Sequence, residues 1–427
     1  MPKDGSRFDL PIAIGILAAS GQITSDNISD YEFIGELALS GELREIQGIF
    51  PAAIACGDTG RKLMTSHSNA SEAALYESCE VYGANSLLDV CNHIVGTKPL
   101  TATVAQPLPI TDNDLDLVDV KGQQLAKRAL EISAAGGHNL LLYGPPGTGK
   151  TMLASRLPGI MPALTTRQFI EVASIHSLCN HSQPSSTTPP FRHPHHTSSA
   201  VALVGGGSQP RPGEISLAHQ GILFLDELPE FQRQVLEVLR EPMESGDIYI
   251  SRANAQVRFP ANFQLIAAMN PCQCGYFGST SEKHHCCCTP DQVKRYRQKI
   301  SGPLLDRIDL HVAVSHASTS ELQNLPDGES SVIIKQRVLQ VREIQLQRQQ
   351  KVNAHLTKAD IKHYCPLNKN DRSFLNAVVD KLGLSARAYD RILKTARTIA
   401  DLSKKECIHR EHISEAIGYR NFDRSTR

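Results

Sequence analysis

The sequence predicts an α/β protein: a core of parallel strands flanked by helices, a helical domain after it and a smaller α/β unit before it. Three observations carry that prediction. A short apolar run at 139–143 reads as a buried strand, breaks into a glycine-rich turn and continues as a helix through Leu157. Two further apolar runs, 221–225 and 263–269, end in polar side chains: Asp226 with Glu227, and Asn270. The last hundred residues are helical, with stretches at 332–351, 384–397 and 408–419.

A chain of 427 residues is long enough for two or three domains, each with its own core. No apolar run approaches a bilayer span, and the N-terminus lacks the basic–apolar–small order of a signal peptide. Eleven cysteines in a chain without an export signal predict a reducing, cytoplasmic setting, where clustered thiols bind metal more often than they cross-link. The net charge of zero is unevenly spread: residues 331–427 hold 20 Lys+Arg against 10 Asp+Glu. Such a basic tail suits a polyanionic partner, although a solvated helical face has the same composition.

Taken in order, residues 10–20 form a small-residue helix ended by Gly21. Residues 33–40 and 42–46 alternate as a hairpin turned at Ser40 and Gly41, a helix covers 49–56 and a strand 62–65. This N-terminal unit, residues 1–100, resembles the proteolytic domain of Lon-type proteases. Pro2, Lys3, Asp4 and Gly5 align with the approach to the protease nucleophile, and Gly35, Glu36 and Leu37 through Gly48 and Ile49 with the approach to its base. At the two reacting positions stand Arg7 and Phe50, so the resemblance implies the fold without peptidase chemistry. Ser6 lies one residue away, but a serine without a positioned base is a poor nucleophile. The strands that precede this motif in such folds are missing, so the chain is expected to start mid-domain. A polar, proline-bearing linker at 101–114 leads to the core, 115–320, which opens with Asp119, Val120, Lys121, Gly122 and a helix at 123–134.

The glycine-rich turn is Gly144, Pro145, Pro146, Gly147, Thr148, Gly149, Lys150 and Thr151, a G-x-x-x-x-G-K-T string set between strand and helix. That context makes it a phosphate cradle: glycines let successive N–H groups point inward, and the helix N-terminus adds partial positive charge. Lys150 reaches the β- and γ-phosphates of ATP, and Thr151 offers its hydroxyl to Mg²⁺. Downstream, Asp226 is placed to hold Mg²⁺ and Glu227 to orient and deprotonate the attacking water. Asn270 can hydrogen-bond that water. The segment 179–199 is rich in Pro, Ser and His, and its flanking prolines make His193, His195 and His196 a loop rather than a metal site. A helix is expected at 229–241. A hairpin is expected at 247–258, with Arg252 and Arg258 exposed on it.

Cys272 and Cys274, then Cys286, Cys287 and Cys288, give two close thiolate pairs that suit tetrahedral Zn²⁺. Cys272, Cys274, Cys286 and Cys288 are the expected ligands, with His284, His285 or Cys287 as replacements and an iron–sulfur cluster as the alternative. A basic helix at 291–299 then leads to Arg307, in a tight polar turn before a strand. Arg307 either completes a neighbouring subunit's site or pairs within its own chain with Asp306 or Asp309.

Together these segments closely resemble the ComM (YifB-like) family of magnesium-chelatase-like AAA+ ATPases across essentially the whole chain. The carrying residues are 119–123, 144–151, 191–196, 203–227, 270–272 and 302–309. The resemblance implies an AAA+ P-loop core with a helix-2 insert and a pre-sensor hairpin, a helical lid at 331–427, and an N-terminal domain of the Lon-like, ribosomal S5 domain 2-like kind. It implies a homo-hexameric ring in which Arg307 reaches a neighbour's γ-phosphate and Arg387, with Arg391 as fallback, contacts nucleotide of its own chain. It further implies ATP-driven movement on single-stranded or branched DNA, as a branch-migration helicase in natural transformation. Two other readings stand beside it: a magnesium-chelatase-type motor for a non-DNA substrate, and the ATPase of a peptidase-like complex, which Arg7 and Phe50 disfavour.

Overall fold

Alternate residues of each apolar run are buried on opposite faces of one sheet, which is why the runs are almost wholly apolar; an exception, Gln264, is buried and donates to the Ser133 and His138 carbonyls. Leu140 and Leu142 pack with Ile222, Phe224, Ile266 and Ala268 on one face. Leu141 packs with Leu223, Leu225, Leu265, Ala267 and Met269 on the other. A computed structural model describes residues 6–23, 27–105, 115–179, 186–207, 210–252, 255–278, 285–315 and 328–420. It divides into a unit of residues 1–110 with 164–187 and a unit of residues 111–163 with 188–427.

In the larger unit, five strands lie in the order Leu310–Ala313, Leu140–Tyr143, Gln264–Met269, Ile222–Leu225 and Phe191–Arg192. All neighbours are parallel, with Leu140 opposite Ile266 and Ile222 opposite Gln264. Because every strand runs the same way, their C-terminal ends share one edge, and Gly144, Asp226 and Asn270 all emerge there. The helix Gln124–Gly136 precedes the first strand, and Lys150–Ile160 follows the phosphate loop.

The C-terminal helices Ser331–Gln349, Lys369–Leu382, Ala386–Leu402 and Arg410–Gly418 share the larger unit's core through Val338, Leu375, Ile392, Ala396 and Ile413. Several of the tail's cations hold these helices together. Arg348 makes a forked pair with Asp401, at 2.7 and 2.9 Å, and Arg397 shares the same carboxylate. Arg337 bridges Glu131 and Glu329. The excess charge is therefore partly internal, while Lys362, Lys369, Arg372, Lys381, Lys404 and Lys405 stay exposed.

In the smaller unit, strands Tyr31–Phe33, Lys62–Ser66 and Val81–Ala84 form a parallel sheet. The expected hairpin shrinks to Glu36–Leu37 against Leu43–Arg44, because Tyr31–Phe33 pairs with Lys62–Ser66 instead. The helix Thr166–Ser177 belongs to this unit although it follows the phosphate-loop helix in sequence: Phe169, Ile170, Val172 and Ala173 pack on Ile49, Phe50 and Ala53. The helix expected at 229–241 is also broken. A 3₁₀ turn at Leu228–Glu230 and the short helices Arg233–Glu237 and Pro242–Ser245 replace it, with Pro229 and Pro242 unable to donate backbone hydrogen bonds. The hairpin pairs Asp247–Arg252 with Ala255–Pro260, and Arg258 is exposed but clamped to Asp247 by two bonds of 2.8 Å. The Arg252 side chain lies outside the described residues. Among the described residues, no helix is long and apolar enough to cross a membrane.

Candidate nucleotide site and cysteine cluster

Gly144 begins the cradle at a point where only glycine fits: a Cβ there would lie 2.0 Å from the Val314 carbonyl oxygen. Pro145 and Pro146 continue the loop, and the Thr148 hydroxyl donates to the Pro145 carbonyl at 2.9 Å, closing it on itself. Lys150 is buried. Its ammonium donates to the carbonyls of Gly144 and Pro145, both at 2.8 Å, and to Asn270 Oδ1 at 3.2 Å. Burial lowers its pKa, and the opposing charges of Asp226 and Glu227 partly restore it. The residues from two strand ends thus converge on one buried cation.

Thr151 Oγ1 donates to Asp226 Oδ2 at 2.6 Å, so the hydroxyl and the carboxylate that suit Mg²⁺ already face each other. Glu227 follows in a left-handed backbone conformation, φ 51° and ψ 46°, with its N–H on Asp226 Oδ1 at 2.8 Å. For a non-glycine residue that conformation costs on the order of 1 kcal/mol or more and is typical of functional turns. It turns the Glu227 side chain outward, half exposed, where His196 Nδ1 sits 3.2 Å from Oε2.

His196 is the residue that composition hides. A histidine-rich loop gives no sign that one of its rings will meet the carboxylate after a distant strand. The link is tertiary, since Phe191–Arg192 pairs in parallel with Ile222–Leu225. His193 instead packs on the Phe224 ring at 4.7 Å, and His195 bonds Thr197. No metal cluster forms from these histidines among the described residues.

Arg307 is almost fully buried and pairs with Glu244 at 2.5 Å, not with Asp306 or Asp309. Asp309 is buried too and serves Arg391 and the Asn139 N–H. Desolvation would raise the Asp309 pKa, but Arg391 and His138 pull it far below the carboxylate range. Arg387 reaches the same Glu244 at 3.8 Å. The structure therefore groups Arg307 with Arg387, beside an open hollow of about 550 Å³ lined by Glu237, Arg240, Glu241, Glu244, Ser245 and Arg307. Among the described residues, no hydrogen bond or ion pair joins either arginine to the phosphate loop.

Cys272, Cys274, Cys286 and Cys288 bring their sulfur atoms within 4.8 Å of one another. Three separations are 3.3, 3.7 and 3.6 Å, far too long for disulfides and close to the edge of a tetrahedron, about 3.8 Å, set by Zn–S bonds of about 2.3 Å. Burial pushes the Cys272 thiol up to about 12. Burial acts the same way on Cys274, but N–H groups of Tyr276 and Cys287 bring it down to about 6. Cys287 points to solvent, and His284 lies outside the described residues. The donor set fits a soft divalent cation.

Residues 116–322 match the family model described as magnesium chelatase, subunit ChlI, and residues 328–420 that of its C-terminal part. Residues 1–69 match a model described as subunit ChlI of Mg-chelatase. The chain is 50% identical to the competence protein ComM of Haemophilus influenzae, over 98% of this chain and 83% of that protein. It is 47% identical to the uncharacterized protein YifB of Escherichia coli, over 99% of this chain and 84% of that one. A magnesium-chelatase 38 kDa subunit of Cereibacter sphaeroides is 25% identical over 36% of this chain and 51% of its own length.

Proposed function

We propose that this chain, which belongs to the ComM/YifB family of magnesium-chelatase-like AAA+ ATPases, is a DNA motor driven by ATP hydrolysis. The observation that carries the hydrolytic half is the meeting of Lys150, Asn270, Thr151, Asp226 and Glu227 at one sheet edge. The loop from Gly144 to Thr151 holds the triphosphate, with Lys150 exchanging its carbonyl partners for phosphate oxygens. Thr151 and Asp226 would hold Mg²⁺, whose chemistry there would be to neutralise charge on the phosphate oxygens. Glu227 takes the proton of the attacking water, and His196 keeps its carboxylate aimed until then.

The arginines make the site composite. Arg307 and Arg387 both reach Glu244, beside an open hollow, and we assign both to a nucleotide on the neighbouring subunit of a hexameric ring. Arg387 then departs from the same-chain role that the family resemblance implies. A hollow at that spot leaves room for a neighbour, and positive charge delivered there stabilises the transition state.

Movement on single-stranded or branched DNA, as in branch migration during natural transformation, is the finer reading. The hairpin Asp247–Pro260, the exposed Lys294 and Arg295, and the exposed lid lysines support it. A chelatase-type motor for another substrate is the second reading, favoured by the match of residues 116–322. The Cys272, Cys274, Cys286 and Cys288 cluster is proposed to hold Zn²⁺.

The deciding experiment measures ATP hydrolysis and particle mass with and without forked DNA, on the native chain and on Lys150→Ala and Glu227→Gln. DNA-stimulated turnover by a multimer, lost in both variants, is the expected result. Absence of ATP binding and of assembly sinks the motor reading, and turnover indifferent to DNA sinks its DNA part alone.

A further inference from the structure

The cysteine cluster stands against the nucleotide site. Cys272 lies two residues beyond Asn270 and is fully buried. Gly275, in the first cysteine loop, has φ 88°, and a Cβ built on it would come 2.8 Å from Pro146 Cδ and 4.0 Å from Asn270 Cγ. The bare backbone of this loop therefore forms a wall behind the phosphate loop, where no other residue type fits without a shift.

Its other flank is tied as well. Arg297 Nε donates to the Pro271 carbonyl at 3.1 Å, and its guanidinium lies 5.2 Å from the centre of the Phe277 ring. The Phe277 N–H points at Cys272 Sγ, 3.3 Å away. At the second pair, Cys288 is followed by Thr289, which caps the helix Pro290–Gln298 by accepting from the Gln292 N–H. Four thiols thus gather the end of the Asn270 strand, the wall behind Pro146 and the start of the basic helix. Residues 271–278 contain no helix or strand of their own. Closing such a loop by chain contacts alone is costly in entropy, and a tetrahedral metal removes that cost.

We propose that Zn²⁺ on Cys272, Cys274, Cys286 and Cys288 is an ordering element for the ATP site, holding Gly275 against Pro146 and Asn270 in register with Lys150, so that metal occupancy sets nucleotide affinity. This rests on the zinc and ATP readings given above. Its reach extends beyond local stability: metal loss frees the wall, and a displaced phosphate loop binds the triphosphate weakly.

The test uses the full chain. Zinc per chain is measured by elemental analysis, and Co²⁺ substitution reads thiolate ligation from its charge-transfer absorption. ATP affinity is measured on loaded, chelator-stripped and zinc-reloaded protein, with far-UV circular dichroism on each. One zinc per chain is expected, with ATP affinity about tenfold weaker after stripping and recovered on reloading. Gly275→Ala keeps all four thiols; it should retain zinc and cobalt colour yet bind ATP about tenfold more weakly. Loaded and folded stripped protein binding ATP equally overturns the coupling and leaves the zinc reading standing. If stripping unfolds the chain, a zinc-replete Gly275→Ala variant with native ATP affinity overturns it instead. Metal-replete protein without zinc removes both the zinc reading and the coupling, whereas a loaded chain that fails to bind ATP removes the nucleotide reading and the coupling with it.

Discussion

The two units of this protein differ in the side chains that stand where the sequence suggests chemistry. In the smaller unit, Phe50 stands where the sequence likeness to Lon-type proteases would call for an activating lysine; it is 1% exposed and sits edge-on to Phe169 with ring centres 6.4 Å apart. Ser6 donates its hydroxyl to Glu36, a carboxylate that also pairs with Arg44. In the larger unit a buried lysine, Lys150, keeps its charge, with three oxygens around its ammonium. A buried aromatic ring such as Phe50 serves packing. Proton transfer and phosphate binding need a charge at a defined place, which Lys150 supplies and Phe50 cannot.

This contrast can be broken at several points. Lys150→Ala should abolish ATP binding and hydrolysis, read by nucleotide titration and phosphate release; retained hydrolysis would remove the cradle from the mechanism. Glu227→Gln should keep ATP binding and slow turnover by about 10²–10⁴-fold, the span of a lost general base. His196→Ala should leave affinity unchanged and slow turnover by about tenfold, since the ring orients Glu227 without touching phosphate. An unaltered rate would reduce the His196–Glu227 contact to a surface pair.

The next test falls on the smaller unit. Burial, with Glu45 nearby, pushes Glu72 up to about 7 from 4.5. Its neutral form is favoured in the fold, so its contribution is complete below pH 4.5 and fades as pH rises through 7. Allowing for partial solvent exposure, the smaller unit should lose about 1–2 kcal/mol over that window. Urea unfolding followed at pH 5 and pH 8 (about one unit outside the transition on the alkaline side) reads the loss, and Glu72→Gln should erase it. The smallest effect belongs to Ser6→Ala, which should change neither ATP turnover nor labelling by a serine-directed probe. Selective labelling of Ser6 would restore peptidase chemistry to that unit.

Much of the candidate site is local in the chain and so was readable there. The phosphate loop spans eight consecutive residues, Asp226 and Glu227 are adjacent, and four cysteines lie in two short clusters. What escaped is contact between residues far apart. Nothing around His196 announces Glu227, and nothing around Arg307 announces Glu244; closeness in the chain points to Asp306 and Asp309 instead. The basic tail shows the same limit, because the sequence counts charges but does not reveal that Arg337, Arg348, Arg391 and Arg397 are held in internal pairs.

By itself the sequence determined the periods: apolar runs that become doubly buried parallel strands, glycines where the phosphate loop turns, and helical spacing in the tail. Those follow from bonded geometry and solvent exclusion over a few residues. The tertiary structure alone decided the partners. It placed Thr166–Ser177 in the smaller unit, moved Arg387 beside Arg307, and set Gly275 behind Pro146. Which distant groups meet depends on how strands order within the sheet and how helices close over it, and the hydrophobic pattern that drives burial is indifferent to that choice.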